Sequence, residues 1–147
     1  MAYGLKGITV KFDREAAMRE YEQRKIESKR IVDNLLKIGT MLDEDGYPTD
    51  VALSVVTMWH HSDPKGWFDF INSIWHLKSW GWHEGEEPHE YIKDRKAYRY
   101  DISTAGWSGN ETIIRAMEEN ELMWQLNWVQ SRRGGHYIFE LNGDYAD

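Results

Sequence analysis

Apolar positions along this chain change period twice, and the changes divide it into a helical first two-thirds and a β-rich last third. From Asp13 to about Leu42, the residues Ala17, Tyr21, Ile31, Leu35, Ile38 and Leu42 recur at spacings of three and four, the mark of a helix. Asp13 stands where an N-cap belongs. The middle of this stretch, EQRKIESKR at 22–30, is polar nearly all round, with Glu15–Arg19 and Glu20–Arg24 spaced as i,i+4 pairs. A half-solvated helix of this length either projects from its domain or pairs with another chain. DEDGYP at 43–48 is a turn cluster. Thr49–His60 reads as a short helix with Val51, Ala52, Val55, Met58 and Trp59 on its apolar side. Ser62-Asp63-Pro64 closes it and opens a third helix, Pro64 being suited to the first helical position. There Trp67, Phe68, Phe70, Ile71, Ile74, Trp75 and Leu77 cover a wide arc, and Gly81 ends the run.

The rest is mainly strand-like. Residues 82–96 read as a charged connector. Tyr98, Tyr100 and Ile102 alternate with Arg99 and Asp101 in a half-buried strand at 97–103. A helix follows at 109–119, with Ile113, Ile114 and Met117 inward, a Ser108/Glu111 capping box at its start and Asn120 as its stop. Leu122, Trp124, Leu126 and Trp128 alternate through a second strand at 121–131, Arg132–Gly135 form a hairpin turn, and Tyr137, Phe139 and Leu141 alternate through a third. An arm or short strand (GITVKF) in residues 1–12 and an acidic tail flank these elements. The expected fold is α+β in a single domain, 1–147. Its N-terminal helices (a long, partly exposed one at 13–42 and a helical core at 49–81) pack on a small C-terminal β-α-β-β sheet at 97–141. A short, tightly connected helix predicts that strands 97–103 and 121–131 are parallel neighbours through a right-handed crossover. That arrangement brings the loop 104–110 beside Arg132, Arg133 and His136.

Composition narrows the function classes. The 147 residues suit one core, and the absence of cysteine excludes disulfides, thiolate chemistry and Cys-based zinc sites. No leader-like start and no long apolar run is seen, so a cytoplasmic protein without membrane contact is expected. A formal charge of −7 argues against sequence-independent nucleic-acid binding. Eight tryptophans are more than a small core needs, which favours a stacking or interaction surface.

The chemistry-bearing stretch is DISTAGWSGNE, 101–111. Strand, Gly/Ser-rich turn and helix start make an anion-receiving arrangement. The candidate ligand-binding residues are Ser103, Thr104, Trp107, Ser108, Gly109 and Asn110, joined across the expected edge by Arg132, Arg133, His136 and Tyr137. Ser108, Gly109 and Asn110 would hold a phosphate, the arginines would neutralise it, and Trp107 and Tyr137 would stack a base. Gly106-Trp107-Ser108-Gly109 departs from the nucleophile elbow because Asn110 replaces its second glycine, so no catalytic residue is assigned. His60-His61 with Asp63, and His83 with Glu84 and His89, match no metal-ligand spacing, and neither metal nor cofactor is called for.

DEDGYPTDVAL, FINSIWHLKSWGW, ISTAGWSGNE and WVQSRRGGHYIFEL resemble segments of a widespread family of small, uncharacterised phage and prophage proteins, over about residues 41–142. In that pattern Gly usually stands where this chain has Ala105. The resemblance implies a phage-derived protein working in the cytoplasm of a bacterial host. It points to a role in countering host defence. The leading expectation is non-enzymatic binding of a phosphate-bearing, nucleotide-like ligand. The alternatives are inhibition of a host defence protein through the acidic and aromatic surface, and a nucleotide hydrolase or transferase. A homo-oligomer through the 13–42 helix is a further expected association.

Overall fold

The computed structural model describes residues 11–141. The expected arm falls outside them up to Val10, as does the acidic tail. Ten elements follow in order: α1 (Arg14–Ile38), α2 (Asp50–Met58), α3 (Pro64–Ile74), α4 (Lys78–Gly81), β1 (Trp82–Pro88), β2 (Lys96–Ser103), α5 (Ser108–Glu119), α6 (Glu121–Asn127), β3 (Trp128–Arg132) and β4 (His136–Leu141). The architecture is α+β, with the first helices packed on a four-stranded sheet.

The helix starts are local chemistry. Carboxylates of Asp13 and Asp63 accept from the N–H groups of Ala16 and Gly66, each at 3.0 Å, and the Thr49 hydroxyl accepts from Ala52 at 3.1 Å. Each satisfies one of the donors that a helix leaves unpaired at its first turn. Asn120 ends α5 and also donates to the carbonyls of Val56 and Trp59, at 3.0 and 2.9 Å, closing the C-terminal end of α2.

The sheet differs from the expected one in three respects. Its order is β1-β2-β4-β3 and every pairing is antiparallel, so the strands expected to be parallel neighbours are not adjacent. Residues 121–127 are helical. Met123 and Asn127, one turn apart, are buried while Leu122 and Leu126 face outward, and Asn127 donates to the Met123 carbonyl at 2.8 Å. The apparent alternation there is a short helix sampled every second residue. The charged connector contains a strand, β1, paired along its length with β2. Only Trp82 in it is buried, so an edge strand polar on both faces shows no period-two signal.

The core lies between α2, α3, α5 and one face of the sheet. Phe68 stacks on Tyr100 at 4.1 Å between ring centroids and tilts against Phe139 at 5.2 Å. Most tryptophans belong to this packing, contrary to the surface role their number suggested. Trp67, Trp75 and Trp82 are buried. The indole N–H groups of Trp67 and Trp75 donate to the carbonyls of Val56 and Ser103, at 2.9 and 3.2 Å, which removes the cost of burying them. Trp80 and Trp128 are the exposed ones.

On the outer face of the sheet, Arg99 and Glu140 stand opposite each other and pair at 2.8 Å, with Glu140 buried. The same guanidinium reaches the Pro88 carbonyl at 3.1 Å and Glu90 at 3.4 Å, which ties the loop after β1 across the sheet.

Gly81 marks the closest approach of α4 to β2. A Cβ there would lie 2.7 Å from the Ser103 carbonyl oxygen, which as backbone cannot swing away. Gly81→Ala is expected to destabilise the fold by about 1–3 kcal/mol, the range for overpacking, measured by denaturant unfolding.

Candidate functional site

The stretch from Ser103 to Asn110 leaves β2 through a tight turn and enters α5. Trp107 N–H donates to the Thr104 carbonyl at 3.0 Å, with Ala105 and Gly106 at φ +56° and +69°. Positive φ at both central positions is the type I′ arrangement, which favours glycine or asparagine over alanine. Ser108 is the first helical residue and Trp107 the N-cap. The expected Ser108/Glu111 capping box is therefore not formed. The Glu111 N–H goes to the Trp107 carbonyl at 3.1 Å, and the Ser108 hydroxyl faces that of Tyr47 at 3.4 Å.

Asn110 is buried and its amide is fully engaged. Its oxygen accepts from the His76 N–H at 3.0 Å, and its nitrogen donates to the carbonyls of His76 and Thr104 at 2.9 and 3.3 Å. It clamps both backbone groups of His76 at the α3–α4 corner, next to Leu77 in the left-handed region at φ +58°. The side chain that was to hold a phosphate is thus a structural fastener. Trp107 is similarly committed: the rings of Tyr47 and His76 lie 4.6 and 4.2 Å from it, near parallel. A Cβ on Gly109 would fall 2.2 Å from the same indole. Stacking is satisfied from within the chain.

The two loops do meet, by an antiparallel route. Ser103 pairs with His136 and Arg132 pairs with His136, so these three form a row across β2, β4 and β3 on the outer face. Thr104 N–H donates to the Gly135 carbonyl at 3.0 Å. Arg132 and Arg133 are exposed, and neither has an acidic partner within 4 Å among the described residues. Tyr137 alternates to the core side, where Trp124 meets it edge-on at 6.0 Å. Burial, then Glu118 and Glu111, push its phenol pKa upward. The candidate residues therefore divide. Ser103, Thr104, Arg132, Arg133 and His136 gather at one corner, Trp107 and Asn110 meet His76 at the α3–α4 corner with Gly109 against the indole, Ser108 faces Tyr47, and Tyr137 lies on the opposite face.

Two features escaped the sequence. Beside α1 an open groove of about 860 Å³ runs to the ends of α2 and α6, lined by Ile26, Ile31, Met58, His60, His61 and Leu122. His60 and His61 stack at 4.2 Å, and Tyr21 of α1 meets both edge-on. No three His, Asp or Glu side chains converge as a metal site among the described residues. The second feature is β1, an outer strand of the sheet among the described residues. Exposed Glu84 and Glu87 stand on it, exposed Trp80 just before it and exposed Tyr91 just after. The acidic run was legible in the sequence, but its strand geometry was not.

No family model matches the chain, and no curated protein or solved structure matches it either. No helix among the described residues is long and apolar enough to cross a membrane.

Two measurements check this geometry. Ala105→Gly should raise stability by about 0.5–1 kcal/mol, because the left-handed penalty of about 1–2 kcal/mol exceeds glycine's extra unfolded-state entropy. The second concerns His60, whose Nδ1 accepts from the Ser62 N–H at 3.1 Å and so is unprotonated. Burial, then His61 and Lys25, lower its pKa against an opposing Glu22. The unfolded chain then takes up the proton more readily. The resulting stability is complete above about pH 6.5 and is lost as pH falls through the lower folded value. The melting temperature should drop on acidification, and His60→Asn, which keeps an acceptor for Ser62, should flatten that drop.

Proposed function

We propose that this chain works by binding another protein through the acidic, aromatic margin formed by β1 and its flanks. The observation that carries the reading is the outer strand β1, with Glu84 and Glu87 exposed between Trp80, 61% exposed, and Tyr91, 76% exposed. Large exposed aromatics are the residues that anchor interfaces, and carboxylates around them select a basic partner and speed its approach. An outer strand also offers backbone groups for strand addition. Its glutamates and Pro88 discourage pairing with an identical acidic strand, so the complement is a basic segment of a different protein. Charge supports this. α1 carries seven basic and five acidic side chains, so it is +2 and the rest of the chain is −9. In the phage setting that four segments of the sequence resemble, the partner is a host defence protein whose surface this margin occupies.

A second reading rests on Arg132, Arg133 and His136, a basic corner beside Ser103 and Thr104 on an otherwise acidic protein. It retains a phosphate-bearing ligand, now without Asn110, Trp107 or Tyr137. A histidine does meet a hydroxyl, His60 Nδ1 and Ser62 Oγ at 2.8 Å, but the two are two residues apart in the turn after α2 and belong to neither candidate surface, so the contact does not favour a hydrolase or transferase.

Capture from bacterial extract separates the two. The immobilised chain should retain a protein that elutes with salt. Trp80→Ala should weaken that retention by roughly 2 kcal/mol, or about thirtyfold, and Glu84→Lys with Glu87→Lys should abolish it. Arg132→Ala with Arg133→Ala should leave it intact. Loss in the arginine variant alone, together with a nucleotide-induced thermal shift that the same variant lacks, would establish the ligand reading instead.

A further inference from the structure

α1 has 25 residues, of which Val32 is buried, and its outward stripe carries a pattern that folding of one chain does not use. Glu15, Arg19, Glu22, Ile26, Arg30, Asp33 and Lys37 follow one another at spacings of four and three, so they form one line along the helix. Ile26 lies about 120° around the axis from Val32 and is 66% exposed. The stripe has a symmetry in its charges. Counting outward from Ile26, Glu22 balances Arg30, Arg19 balances Asp33, and Glu15 balances Lys37. Each pair is equidistant from the centre and opposite in sign.

We infer that α1 is a homodimerisation surface, pairing with α1 of a second copy antiparallel about a two-fold axis at Ile26. That axis sets Glu22 against Arg30 of the second copy, Arg19 against Asp33, and Glu15 against Lys37. Each contact occurs twice, as an isologous interface requires. Other registers fail on charge. A parallel pair in register sets every charge against itself. An antiparallel pair displaced by one turn, centred on Arg24, sets Glu15 against Asp33 and Arg19 against Lys29.

The apolar groups agree with the same register. Phe12 and Ile38, 81% and 77% exposed, sit at opposite ends of α1. Antiparallel pairing brings Phe12 of one copy to the same end as Ile38 of the other, and Ile26 meets its own counterpart at the centre. Within one chain Arg30 already bonds Glu27 at 2.6 Å and Lys29 bonds Asp33 at 3.3 Å. Exposed ion pairs of this kind contribute little, so redirecting them across the axis is nearly neutral. The charges therefore choose the register, and the three apolar contacts supply the attraction. Such an association is weak and sensitive to salt. It uses none of the residues of the acidic margin and stands whether or not that margin binds a partner.

Light scattering over a concentration series tests it. The wild-type mass should rise toward twice the monomer at high micromolar concentration and fall when salt is added. Glu22→Arg sets arginine against Arg30, and Arg30→Glu sets glutamate against Glu22, so each variant alone should stay monomeric. An equimolar mixture of the two should dimerise, because each then meets its complement. Circular dichroism checks that both exposed substitutions leave the fold unchanged. Ile26→Cys gives an independent reading, since the chain contains no other cysteine: mild oxidation should link two copies, and Glu22→Arg in the same chain should suppress the link. A wild-type chain that stays monomeric overturns the proposal. So does a dimer whose mass neither charge reversal alters, or a mixture that fails to restore association.

Discussion

The amide of Asn110 is the constraint on which the middle of this molecule depends. One planar group makes three hydrogen bonds from a buried side chain, two with the backbone N–H and carbonyl of His76 and one to the Thr104 carbonyl. It thereby fixes where α3 gives way to α4, where β2 stops and where α5 begins. At the α3–α4 corner, beside the left-handed Leu77, the His76 N–H and carbonyl find their partners in this side chain. Trp107 and Gly109 reinforce the same junction, the indole filling the space that a side chain at 109 would need. The stretch 101–111 organises the chain, and it does so through packing and hydrogen bonds within the chain.

The sequence was legible where periodicity and capping chemistry act locally. α1, α2 and the start of α3 follow Asp13, Thr49 and the Asp63-Pro64 pair, and β2 and β4 show their alternation openly. It was not legible where two periods coincide or where an element has no apolar face. Leu122, Trp124, Leu126 and Trp128 fit a strand by alternation, yet Met123 and Asn127 bury the other face of a helix turn. β1 is hidden because Trp82 is its one buried side chain. The strand order is hidden for the same reason, since α6, about two helix turns long, carries β3 past β4 to the far side. The loop and the hairpin still meet, because antiparallel pairing of Ser103 with His136 also brings those two ends together. The contacts that Asn110 and Trp107 make within the chain are hidden for a different reason. Polar and aromatic residues at a helix start look the same in sequence whether they face a ligand or their own chain.

Charge is distributed unevenly over these elements, and the distribution separates two kinds of contact. α1 alternates signs finely along its length, which suits a contact needing a defined register. The β1 margin gathers one sign around exposed rings, which suits attraction of an oppositely charged surface. Polar residues at Arg99 and Glu140 serve neither purpose. They hold the loop after β1 down on the sheet, and so fix one end of the acidic margin.

The position of β4 has a consequence for how the molecule comes into being. It lies between β2 and β3 in space but follows both in the chain. During synthesis β1 and β2 can pair early as neighbours in sequence, while the inner edge of β2 stays open until β4 emerges. Domains form as the chain is extended, and unpaired strand edges are where nascent chains go astray. Over that interval the core face of β2, with Tyr100 and Ile102, has only the helices to cover it. The interval between translation of β2 and translation of β4 is thus the chain's most vulnerable period, and chaperone engagement should concentrate there.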